Sequence, residues 1–163
     1  MFIAHFPAGY ILTKKLQEKQ RVNKYLWLGL VASILPDIDL LWFYLVDNRQ
    51  TLHHDYWLHV PIFWVGIFVI WYLFLLISKQ LNQKYLLPTV IFFTSITLHL
   101  LLDTIAGGIA WFYPFSDTSF VLIDVPAKYG WWVWNFVFHW SFLLELGIIL
   151  WAITVFSKSQ GKK

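Results

Sequence analysis

The chain reads as an all-α integral membrane protein with four long transmembrane helices and a short N-terminal partial-span or interfacial helix. Three observations carry that expectation. The 163 residues are 59% hydrophobic and 21% aromatic, and only 13% are charged, against about 25% in a soluble domain. Four apolar runs are each long enough for the roughly 20 residues that a helical crossing needs. The basic residues gather in alternate connections between those runs. The length suits one domain over residues 1–163.

The first element, Met1–Thr13, is apolar but reaches only about 20 Å as a helix. The long runs follow at Tyr25–Val46, Trp57–Ile77, Tyr85–Ala106 and Trp131–Phe156. The 11 Trp and 8 Tyr suit the headgroup level, where amphipathic rings are favoured. The connection Gly107–Gly130 holds Trp111-Phe112-Tyr113-Pro114-Phe115, two Asp and two Pro. It is long for a plain turn, and loops of that length often have a function. No repeat, low-complexity tract or cleavable signal peptide is evident.

Four crossings place Lys14, Lys15, Lys19, Arg21, Lys24, Lys79, Lys84, Lys158, Lys162 and Lys163 on one side, which is 10 of the 12 basic residues. Arg49 and Lys128 fall on the other. The positive-inside rule makes the first side, with the C-terminus, cytoplasmic. The net charge of +3 forms no basic stripe, so no nucleic-acid partner is expected.

That topology gives each polar residue a depth. Asp37 lies about 18 Å above the cytoplasmic start of its run and His99 and Asp103 about 21 and 27 Å above theirs. His139 enters from the outer side to about the level of Asp37. All six histidines then fall in the outer half. Ionisable residues within a span are costly and usually functional, so the convergence points to a site facing outward.

His99 and Asp103, four residues apart, share a helix face and can reach one ion. Asp37 and Asp39 would diverge by about 200° on a regular helix, but Pro36 breaks the helix and lets both turn inward. His53 or His54, with His59, are candidate ligands at the membrane boundary, and Asp55 is placed to orient an imidazole. His5 is a further candidate. His139 fits the depth, and Glu145, six residues on, is a candidate pocket group. The candidate metal set is His5, Asp37, Asp39, His53, His54, His59, His99, Asp103 and His139, with His54, His59 and Asp39 as candidate catalytic groups. Trp111, Phe112, Tyr113 and Glu145 are the candidate substrate-pocket residues.

There is no Cys, so no thiolate ligand is available. A His and carboxylate set suits Zn, and also Mn or Fe, better than Mg or Ca. The ligand number allows one or two ions. Such an ion activates water and polarises a phosphoryl or carbonyl oxygen, so hydrolysis of a lipid-linked or amphiphilic phosphate ester at the outer leaflet is the leading expectation. No GxSxG nucleophile elbow occurs. A metal-ion or proton transporter, or a helix bundle stapled by metal, is the alternative.

The succession "MFIAHFPAGY", "LPDIDL", "HHDYWLH", "HLLLDT" and "WFYPF" resembles the predicted membrane-bound metal-dependent hydrolases, the group that includes the LexA-regulated inner-membrane proteins. The resemblance implies the inner membrane of a prokaryote. It also implies metal-site roles for His5, Asp37, Asp39, His54, His59, His99 and Asp103. Members often carry His-Arg where this chain has His53-His54. A more distant similarity is to zinc-dependent phospholipase C, which also uses an HxxxD helix pair.

Overall fold

A computed structural model describes residues 3–20 and 23–160. Met1, Phe2, Arg21, Val22 and Gly161–Lys163 lie outside the described residues, so the expectations placed on Arg21, Lys162 and Lys163 do too. The described chain is helical, with no strand and one isolated antiparallel bridge, Ile109 to Phe120. Its helices are α1 (His5–Gln20), α2 (Leu26–Ile34), α3 (Asp39–Leu45), α4 (Pro61–Ile77), α5 (Gln83–Ala106), α6 (Trp132–Val137) and α7 (Phe142–Gln160). Single 3-10 turns occupy Pro36–Ile38, His53–Asp55 and Trp57–His59.

The four expected crossings are not all present. Among the described residues α5 and α7 are long and apolar enough to cross a bilayer, and the bent α2–α3 pair makes at most a third. The expected Trp57–Ile77 crossing shortens because Pro61 opens α4 and holds Val60 extended. The 17-residue helix that remains rises only about 25 Å. Tyr25–Val46 breaks at Pro36, and its halves meet at 52°. Trp131–Phe156 also breaks, although no Pro or Gly stands at the gap. There His139 Nδ1 pairs with the Ser141 hydroxyl at 2.9 Å, a local alternative to the helical ladder. Membrane character is carried also by the large apolar side chains left exposed, including Trp27, Leu45, Ile70, Ile77, Leu143 and Leu150.

The N-terminal helix is longer than expected. It runs 16 residues, through Lys14, Lys15 and Lys19. It packs against α2, α5 and α7 and buries His5, Thr13 and Gln17 there. Close approach of α1 to α2 requires Gly29, because a Cβ there would collide with the Thr13 side chain. The α5 N-terminus is capped by Asn82, whose side chain accepts from Lys84 N–H at 3.0 Å. Ala32, Trp64, Ile96, Leu100 and Ile109 form an apolar core joining α2, α4, α5 and the segment after α5. Together these contacts bring the start of α1, the Pro36 break, the two turns before α4 and the end of α5 to one place.

Candidate metal centre

Four local features deliver the site. The first turn of α1 carries His5, and the Pro36 break frees Asp37 and Asp39 from a single helical face. The short turns before α4 carry His53, His54 and His59. The last two turns of α5 present His99 and Asp103 at i and i+4. His5, Asp39, His59, His99 and Asp103 are all buried.

The Asp103 carboxylate is the hub. His5 Nε2 lies 3.0 Å from Oδ1. His99, His59 and His54 Nε2 lie 2.9, 3.6 and 3.8 Å from Oδ2. Asp37 Oδ1 faces the same space, 3.4, 3.7 and 3.6 Å from the Nε2 atoms of His53, His59 and His99. The His5 ring stacks on His99 with centroids 3.8 Å apart.

The far sides of three rings fix their protons. His99 Nδ1 is 2.8 Å from the Ser33 carbonyl, and His54 Nδ1 is 2.8 Å from the Gly107 carbonyl. His59 Nδ1 is 2.8 Å from Asp39 Oδ2. Carbonyl and carboxylate oxygens accept, so each Nδ1–H donates, and a ring that is neutral presents a lone pair at Nε2. Against the opposing effect of burial, the Asp103, Asp37 and Asp39 carboxylates push His59 up to about 10, so its Nε2 lone pair is free only when a metal displaces that proton. Those lone pairs converge: His59 and His99 Nε2 stand 3.4 Å apart, with the Asp103 and Asp37 oxygens beside them. Among the described residues, Asp39 Oδ1 and His53 Nδ1 are also buried without a hydrogen bond, 3.7 Å apart. So many acceptors in a buried space need cations, either extra protons on the rings or a metal. A metal satisfies them together, and Nδ1–H bonds to carbonyl and carboxylate are the supports metal-bound imidazoles use.

Two adjacent groups have the spacing for an ion, with ligand atoms within 4.8 Å of one another in each. They are His53, His54 and His59, and His5, Asp37, His99 and Asp103. The donor set fits one ion or an adjacent pair. Burial pushes His53 and His54 down to about 4, helped at His53 by the neighbouring imidazoles His54 and His59 and opposed at His54 by Asp103. Both rings are therefore neutral at neutral pH, the form that binds metal. Gly107 shapes the site as well, since a Cβ there would collide with the His54 ring.

The other candidate residues lie elsewhere. His139 pairs with Ser141 in the break before α7. Trp111 packs against the core and donates to the Thr104 hydroxyl at 2.8 Å. Phe112 and Tyr113 are exposed. Glu145 is buried and accepts from the backbone N–H of Ile3 and Ala4, the latter at 3.0 Å, so it anchors the segment that delivers His5. Next to the His/Asp cluster a cavity of about 440 Å³ is lined by Asp37, His53 and His54 together with Phe43, Arg49 and Phe136. Phe43, Arg49, Phe136 and Gly107 are not among the residues expected at the site. Arg49 alone carried a signal, as one of two basic residues on the expected outer side.

The chain matches the family described as YdjM inner membrane protein over residues 2–162. No curated protein matches it, and no solved structure matches it.

Proposed function

Since the chain belongs to the YdjM inner membrane protein family, we propose that its His/Asp cluster is the centre of a metal-dependent hydrolase working within that membrane. Its substrate class is a lipid-linked or amphiphilic phosphate ester, and the centre faces the outer leaflet with the C-terminus cytoplasmic. The observation that carries this reading is the convergence of supported Nε2 lone pairs on Asp103 and Asp37 beside an open cavity.

His5, Asp37, His99 and Asp103 would hold a divalent ion, zinc first given the donor set, and His53, His54 and His59 could hold a second. When bound, such an ion lowers the pKa of water and polarises a phosphoryl oxygen. Asp39 holds His59 in one tautomer and orientation. His53 and His54 reach the cavity, where a neutral imidazole can take a proton from a nucleophile or return one to a leaving group. A purely structural zinc is enclosed by four protein ligands, whereas here Asp37, His53 and His54 line a cavity.

Metal-ion or proton transport is the second reading. It draws on buried Thr13, Gln17 and Ser95, whose side chains carry atoms without a hydrogen-bond partner among the described residues. Phosphate release separates the two readings. Purified, zinc-loaded protein should turn over short-chain and lipid phosphate mono- or diesters, and Asp37→Asn should reduce the rate by at least about 100-fold. Zinc-replete protein that turns over none of them, yet carries protons or zinc across a vesicle membrane, would favour the transporter.

A further inference from the structure

Arg49 sits in a built position. Asp47 accepts from the backbone N–H of Gln50 at 3.0 Å and of Thr51 at 2.7 Å, and the Arg49 N–H donates to the Phe43 carbonyl at 3.0 Å. Between these bonds Asn48 and Arg49 take φ of 49° and 65°, a left-handed pair with no glycine. Asparagine tolerates that region, but an arginine there costs about 1–2 kcal/mol. The guanidinium lies over the Tyr44 ring, 5.1 Å from its centroid. Among the described residues no carboxylate lies within salt-bridge distance of it. Asp55 also lines the cavity without pairing to it.

The cavity has two characters. Asp37, His53 and His54 form the side shared with the metal centre, and among the described residues Arg49 is the one Lys or Arg that lines the cavity. Leu40, Phe43, Leu52, Trp132 and Phe136 supply apolar surface. Its volume of about 440 Å³ lies within the roughly 300–1,000 Å³ of small-molecule sites. A planar guanidinium matches two oxygens of a tetrahedral oxyanion, and the apolar wall matches a hydrocarbon chain. The carboxylates alone would repel an anion, and a cation held by Asp37 removes that repulsion.

We propose that this cavity is a substrate subsite in which Arg49 binds the phosphate group of an amphiphile while the apolar wall takes the start of its chain. This rests on the hydrolase reading and adds the residue that selects an anionic substrate. Arg49 acts by binding, so its loss weakens ligand affinity without emptying the metal centre.

The test uses full-length protein in neutral detergent with added zinc, as wild type, Arg49→Gln and Arg49→Lys. Binding of dioleoyl phosphatidic acid, inorganic phosphate and dioleoylglycerol is titrated, and zinc content is read on the same samples. Phosphatidic acid should bind wild type more tightly than either other probe. Arg49→Gln should weaken phosphatidic acid and phosphate by about 10-fold or more, as for a lost charge-assisted hydrogen bond, with zinc unchanged. Arg49→Lys should retain part of that affinity. Equal phosphatidic acid affinity in wild type and Arg49→Gln overturns the subsite, and dioleoylglycerol binding as tightly as phosphatidic acid overturns the anion selection. Phosphate binding as tightly as phosphatidic acid overturns the apolar half. Zinc absent from wild type overturns the metal centre instead, and the Arg49 comparison is read independently of it.

Discussion

Replacing Asp103 with asparagine is expected to weaken zinc binding by more than about 100-fold while the helical bundle stays folded. Four imidazole Nε2 atoms, from His5, His54, His59 and His99, lie within 3.8 Å of its two oxygens. The amide keeps the size of the side chain but loses the charge and turns one acceptor into a donor. Groups one step removed from a metal typically cost 10–100-fold when changed, so a direct ligand at the hub should exceed that range. Competition against a chromophoric zinc chelator gives the affinity, and far-ultraviolet circular dichroism reports the fold. Near-wild-type affinity in a folded Asp103→Asn variant would move the metal away from the α5 pair.

Stripping metal from the wild type should lower its thermal midpoint by on the order of 10 °C. A ligand at about 1,000 times its dissociation constant adds about 4 kcal/mol to the folded state. For a chain of this size each kcal/mol shifts the midpoint by about 2–4 °C. Without the ion, the buried carboxylates and bare imidazole nitrogens must recruit protons or stay uncompensated. Zinc should restore the midpoint and magnesium should not, since the donor set is rich in imidazole nitrogen. The Asp103→Asn variant should show little response to the same chelator. A wild-type midpoint indifferent to both chelator and zinc would argue for protons as the compensating cations.

Much of the His/Asp cluster is legible in the sequence because its residues lie in short local patterns. The i, i+4 spacing of His99 and Asp103 needs only helical periodicity, and Pro36 signals the break that frees Asp37 and Asp39. His53, His54 and His59 stand close in sequence at the end of an apolar run. Neither His139 nor the Trp111–Tyr113 run is part of the cluster, because depth and composition do not fix which face a residue presents. His139 occupies a helix break in which it bonds to Ser141, which hydropathy cannot register. The roles of Glu145 and Gly107 depend on chain approaches of more than 50 residues in sequence, and no local pattern encodes those. Cavity walls drawn from Phe43, Arg49 and Phe136 are likewise tertiary.

The helix boundaries were less legible than the clustering of the His and Asp residues. Hydropathy counts apolar residues and therefore merged Trp57–His59 with α4, and α6 with α7, where Pro61 and the His139–Ser141 turn divide them. It also cut α1 short at the lysines. There Thr13 and Gln17 are buried against neighbouring helices, so the helix continues because of packing rather than its own apolar content.

Metal analysis of wild-type protein, purified in neutral detergent without chelators or metal-affinity resin, decides whether the His/Asp cluster holds an ion. The expected result is at least one first-row divalent ion per chain, zinc first, with an X-ray absorption spectrum of imidazole nitrogen and carboxylate oxygen and no sulfur. Folded protein that carries no such metal, and takes up none when zinc is added, would contradict it.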